Sequence, residues 1–248
     1  MTRTIGAVAR LGVWLAFAYR LAGTAAAANT AAPYPNMAPI DAYLMNRTQE
    51  IALAKSAAPT SVSKEASVLV LTRTGYATAI TGTNGFVCWV ARAFSGAFDW
   101  PERWNPKIRA AECQNPQAAR TILPIAERET AMALAGRSTP DILDAIRTAV
   151  RAGKIPKLES GAMSYMMSKS AYLTDQGGHD MPHVMFYAAV KDPADWGANA
   201  PDTPVIGGTI WFVTPGHDAE IASLPTLSVF ISGVGTWSDG QPAAAHSM

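Results

Sequence analysis

Apolar residues along this chain recur with two different periods, and the change of period divides it into elements. Over residues 40–57, Ile40, Tyr43, Leu44 and Ile51 follow the three-and-four spacing of one helical face, with Asp41 suited to the first turn and Lys55 to the last. Pro59 ends that helix. Residues 67–93 alternate as strands do, and the run is cut at Thr74-Gly75 and at Asn84-Gly85. Asn-Gly is a strong hairpin signal because both central residues must accept positive φ, so three antiparallel strands are predicted at about 67–72, 76–81 and 86–93. In the third, Val87, Trp89 and Ala91 alternate with Phe86, Cys88 and Val90, which makes both faces apolar and the strand central.

Residues 94–115 scatter Phe94, Phe98, Trp100 and Trp104 among Gly, Pro, Asp and Arg without a usable period, and are expected to form a long loop. Its aromatics would make a local apolar cluster or, alternatively, a platform for sugar rings. Helical spacing resumes from Pro116 through Ile122 and Leu123, breaks at Pro124, and continues through Ile125 and Met132 to Gly136. Ser138-Thr139-Pro140-Asp141 is a helix start, with a capping hydroxyl, proline in the first turn and an acid at the positive end. Ile142, Leu143, Ile146 and Val150 give that helix its buried face, and Gly153 its end. Strands are expected again at about 205–214 and 226–232.

Between these lies the stretch that concentrates the chain's soft side chains. Residues 161–190 hold Met163, Met166, Met167, Met181 and Met185 together with His179 and His183. His179, Met181, His183 and Met185 occupy every second position, and alternate residues of an extended strand share a face. The element order predicts an α+β fold: an N-terminal helix first, an antiparallel sheet of about six strands, and helices packed mainly on one face. In element order alone this resembles the profilin-like and PAS-like sensor domains, a resemblance that brings no functional residues with it.

Residues 1–28 carry Arg3, Arg10 and Arg20, no acid, an apolar run and a terminal series of alanines, the pattern of a signal peptide. Residues 29–39, with Pro33, Pro35 and Pro39, read as a flexible tether, and residues 40–248 as one domain. The chain is therefore expected to be bacterial and secreted or periplasmic, with no transmembrane span once the signal is removed. Removing the three arginines moves the formal charge from +1 to −2, which excludes the basic footprint of a nucleic-acid binder. Cys88 and Cys113 form an even pair in an exported chain, so a disulfide between them is predicted.

Candidate chemistry centres on the same stretch. Thioether sulfur suits Cu(I) and imidazole suits copper and zinc, so His179, Met181, His183 and Met185 form a candidate metal row, with copper the cofactor it would take. Pro182 interrupts that row, and methionine is also an ordinary core filler beside Tyr165, Phe186 and Tyr187. A general acid/base site would use His179 or His183, oriented by Asp175 or Asp180. Tyr165-x-x-x-Lys169 resembles the tyrosine–lysine pair of short-chain dehydrogenases over five residues, but no Gly-rich nucleotide loop accompanies it. Ser61-x-x-Lys64 resembles the nucleophile motif of penicillin-binding proteins, without its partner motifs. The expected function is an exported ligand-binding or sensor-like module with a small-molecule ligand and no cofactor. The alternatives are a secreted hydrolase using His179 or His183 with Asp180, Tyr165 and Lys169, and a periplasmic copper-binding protein.

Overall fold

A computed structural model of the chain describes residues 33–176, 181–190, 192–210 and 226–243. Among them, eight strands form one mixed, mostly antiparallel sheet: β1 (Ser67–Thr72), β2 (Gly75–Ile80), β3 (Val87–Ala91), β4 (Ala110–Gln114), β5 (Met163–Met166), β6 (His183–Ala188), β7 (Val205–Ile210) and β8 (Ser228–Gly233). The helices are α1 (Arg47–Lys55), α2 (Thr60–Ser63), α3 (Pro116–Thr121), α4 (Leu123–Leu134) and α5 (Thr139–Arg151). The strands lie in the order β2-β1-β3-β4-β5-β6-β8-β7. The α+β class is as expected, with eight strands in place of about six.

Pairing also departs from the expected antiparallel meander, because β1 and β3 run parallel. Asn84-Gly85 does not close a β2–β3 hairpin. Instead the Asn84 side-chain amide donates to the Val62 carbonyl at 2.8 Å while its Oδ1 accepts the Phe86 N–H at 3.0 Å. The Thr83 N–H donates to the Glu65 carbonyl at 2.8 Å. These bonds draw the connection across the start of β1, and β3 emerges on its far side. Gly82 marks the tightest point of the crossing, where a Cβ would stand 2.2 Å from the Ser67 backbone nitrogen.

The predicted helix over 40–57 is divided. Ile40–Ala42 is a 3-10 turn, and α1 begins at Arg47 because Asn46 caps it, its Oδ1 accepting the N–H groups of Thr48 at 3.0 Å and Gln49 at 3.3 Å. Pro124 lies in the first turn of α4, where no N–H partner is required, so the break falls at Ile122. Helix α5 starts as predicted, the Asp141 N–H donating to Ser138 Oγ at 3.3 Å, and buries Ile142, Ile146 and Ala149.

Helices cover both faces of the sheet. Ala54 and Ala57 of the α1 region pack with Val68, Cys88, Val90, Ala111 and Cys113, whereas Leu123 and Ala126 of α4 pack with Leu69 and Trp89. Neighbouring residues of a strand point to opposite faces, so α1 stands on the side away from α4. This is a departure from helices mainly on one face. The largest cluster joins Ile122 and Ile125 to Ile142 and Ile146 of α5, and to Tyr187 and Val229 of β6 and β8.

Strand β4 falls inside the stretch expected to be a loop. Its sequence, Ala-Ala-Glu-Cys-Gln, has no β-branched or aromatic residue, and pairing with β3 and β5 on its two sides makes it a strand. Cys113 is therefore the direct cross-strand partner of Cys88, 3.9 Å away between Cα atoms, and the predicted disulfide ties two interior strands. Closing a loop of 25 residues stabilises the fold by roughly 3 kcal/mol in the chain-entropy account. Phe94 and Phe98 are buried in the largest cluster and so join the main core instead of forming a local one, with the Arg103 guanidinium 4.3 Å above the Phe98 ring. No helix among the described residues is long and apolar enough to cross a membrane, and residues 1–28 lie outside them.

Candidate functional site at the end of β5 and β6

Strands β5 and β6 are antiparallel neighbours, and their register decides which candidate residues can meet. Tyr165 pairs with Val184, and Met166 pairs with His183. Directly paired residues share a face and successive residues alternate. Tyr165 therefore points to the face that carries Cys113 and Phe86, its ring 6.4 Å from that of Phe86, while His183 points to the opposite face with Met166. Lys169 lies beyond the end of β5, and its Nζ donates to Asp239 Oδ2 at 2.8 Å on the surface. Tyr165, Lys169 and His183 do not converge.

His179 and Asp180 lie outside the described residues, so the row begins at Met181. Pro182 precedes the strand, and its carbonyl accepts the Val234 N–H at 2.8 Å, extending the β6–β8 pairing by one step. His183 is buried, with Nδ1 2.9 Å from the Met181 carbonyl. A carbonyl can only accept, so Nδ1 carries the proton, and in the neutral ring the lone pair is on Nε2. Met185 shares the His183 face but packs against the main core. On the other side of His183 its partner is Gly233, where a Cβ would stand 2.8 Å from Met181 Sδ. The missing side chain at Gly233 is what seats the Met181 sulfur beside the His183 strand.

Met166 and Met181 also line one small recess, with Ser168, Lys169, Leu173 and Trp237 on its wall. Its volume of about 20 Å³ compares with the ~10–15 Å³ that admits one water. Ordinary small-molecule pockets run to about 300–1,000 Å³. The recess takes an ion or a single water, not a metabolite. Among the described residues no three His, Cys, Asp or Glu side chains gather as a metal site, so a metal held here would depend on the thioethers.

Asp175 is absorbed elsewhere. It accepts from Tyr172 Oη at 2.6 Å, from Tyr34 Oη, and from Lys107 Nζ at 2.9 Å, and these donors hold its carboxyl far below the usual carboxylate range. Its backbone N–H donates to Glu102 Oε2 at 2.9 Å. Burial would raise Glu102, yet donation from Thr174, the Asp175 amide and Asn105 holds it below the usual range. Ser61 and Lys64 sit at α2, where the Lys64 ammonium faces Glu65 at 3.5 Å.

The sequence pattern concealed a set of buried carboxyl groups. Among the described residues Glu50, Glu102, Glu112 and Glu129 are all buried. Glu112 of β4 accepts from Tyr187 Oη and Gln114 Nε2, each at 2.9 Å, and burial still raises its carboxyl above the usual range. Glu129 lies on the same α4 stripe as Ile122, Ile125 and Ala133, and Glu50 on the same α1 stripe as Ala54. A charge on the apolar stripe of a helix was the available signal. No protein-family model, no curated protein and no solved structure matches this chain.

Proposed function

We propose that the chain is an exported, non-catalytic binding module of the sensor-like kind, with its ligand site at the end of β5 and β6. The observation that carries this reading is the register of those strands, which puts Tyr165 and His183 on opposite faces. An acid/base pair needs both groups within hydrogen-bond reach of one reacting atom. Of the other candidates among the described residues, Lys169 is engaged with Asp239, and Asp175 with Tyr172, Tyr34 and Lys107. The disulfide supports an oxidising compartment, and with it export.

The rival is a hydrolase using His179 or His183. Residues 29–248, produced without the signal segment, are assayed against ester, amide and glycoside substrates beside His179→Ala and His183→Ala. The reading expects no turnover that depends on His179 or His183. Turnover abolished by either substitution, with the melting temperature unchanged, would establish the hydrolase instead.

A further inference from the structure

We infer that the outer edge of β2 is a self-association surface, at which a second copy of this chain adds its own β2 antiparallel across a two-fold axis. This edge lies at the far end of the sheet from β6, and its role does not depend on the ligand reading.

The two end strands of the sheet are finished differently. On β7 the Gly207 N–H donates to Asn199 Oδ1 at 3.1 Å, Asn199 Nδ2 donates back to the Gly207 carbonyl at 3.3 Å, and the Asn199 N–H donates to the Val205 carbonyl at 3.0 Å. Pro193 fills the space where a Gly207 side chain would stand, so this edge is capped. At the other end, β2 pairs with β1 alone. Beyond that pairing, two side chains among the described residues bond to its backbone: Thr72 Oγ1 to the Gly75 carbonyl at 2.7 Å, and Arg47 Nη2 to the Ala79 carbonyl at 3.4 Å. Edge strands are commonly protected by charged side chains or proline, and Gly75–Ile80 has neither. An irregular step in the β1–β2 register, itself a protective device, falls at Ala79 and leaves residues 75–78 regular.

The side chains choose a second copy as the occupant. In a two-fold pairing the residues nearest the axis face their own copies, so any charge there meets its like. Ala77 and Thr78 are exposed, small and uncharged. Tyr76 is held inward, its ring edge-on to Trp89 at 5.0 Å and its Oη donating to the Val90 carbonyl at 2.7 Å. Charge stands instead at the two ends of the strand, and it is complementary. The turn end carries Asp41, exposed and paired with Arg73, while the Ala79 end carries the exposed Arg47. Antiparallel pairing sets the Asp41 end of each copy beside the Arg47 end of the other, and offers Arg47 a carboxylate in place of its long bond to a carbonyl. A seam of six residues is small, so the dimer is a weak one that forms at high concentration.

Residues 29–248 with the disulfide formed are followed by sedimentation velocity from low to high micromolar concentration. A concentration-dependent equilibrium between monomer and dimer is expected. Thr78→Lys, which sets like charges against each other near the axis, should weaken it by about tenfold or more with the melting temperature unchanged. Ile206→Lys, at an exposed position on the capped β7, should leave it as it was. Hydrogen exchange in the unsubstituted chain supplies a readout that no variant can disturb, and it decides if Thr78→Lys lowers the melting temperature. Amide protection within Gly75–Ile80 should rise with protein concentration while that of β7 stays constant. A monomer at every concentration, a dimer indifferent to Thr78→Lys, equal loss with Ile206→Lys, or β2 amides whose protection ignores concentration would each overturn the inference. None of these results bears on turnover dependent on His179 or His183, so the two readings fall separately.

Discussion

Arg92 Nη2 donates to Glu50 Oε1 at 2.8 Å, with 0% and 1% of the two side chains exposed. The same Glu50 oxygen accepts the Leu71 N–H at 3.1 Å, and Arg92 Nε donates to the Tyr43 carbonyl at 2.8 Å. One ion pair thus joins α1, β1, the segment after β3 and the turn before α1. Removing one partner from a buried pair leaves the other charge uncompensated, at a cost of about 3–5 kcal/mol. Arg92→Ala and Glu50→Ala are each expected to lower the unfolding free energy in urea by that amount. Replacing both, as Glu50→Leu with Arg92→Met, should cost less than the two single changes added together.

A second buried pair gives the protein a pH dependence. Arg103 Nη2 and Glu129 Oε2 stand 3.7 Å apart, and burial, partly offset by Arg103, pushes the Glu129 carboxyl up to about 8. In the unfolded chain a glutamate titrates near ~4.3. Between these values the folded state binds the extra proton, so the contribution of Glu129 is complete below the unfolded value and is lost as pH rises through about 8. Urea midpoints measured from acid to mildly alkaline pH should decline more steeply for the wild type than for Glu129→Gln. Parallel profiles would show that the carboxyl is ionised in the folded state across this range.

Gly82 is expected to tolerate no side chain. Gly→Ala at an unstrained loop position ordinarily stabilises by about 0.4–1 kcal/mol through the unfolded chain. Here the added carbon would meet backbone atoms of Ala66 and Ser67, at 2.3 and 2.2 Å. Gly82→Ala should therefore destabilise, and thermal unfolding beside an exposed control such as Gly136→Ala separates this close approach from loss of glycine flexibility. Gly136 has open space around it but a φ of 76°, so its substitution reports conformational strain alone.

Local chemistry made β1, β2 and α5 readable: alternation and a Thr-Gly cut for the strands, a serine cap and a proline for the helix. The parallel β1–β3 pairing was not readable, because Asn84 and Thr83 satisfy distant backbone groups at Val62 and Glu65 where a hairpin turn would bond within itself. Strand β4 escaped because Glu112 sits on an inward face, satisfied by Tyr187, which lies 75 residues away in sequence. His183 and its methionines were visible as a row. The separation of His183 from Tyr165 was not, since it depends on a register that no single strand encodes. The Asp175 cluster was equally hidden, as Tyr34 and Lys107 approach it from 141 and 68 residues away.

The β5–β6 register underlies the non-catalytic reading, because a slip of one residue would exchange the two faces of β6. Nuclear Overhauser contacts between the two strands, in residues 29–248 with the disulfide formed, test it most directly. The expected cross-strand contacts are Met166 with His183 and Tyr165 with Val184. Direct pairing of Tyr165 with His183 would bring a phenol and an imidazole onto one face, and would contradict the account.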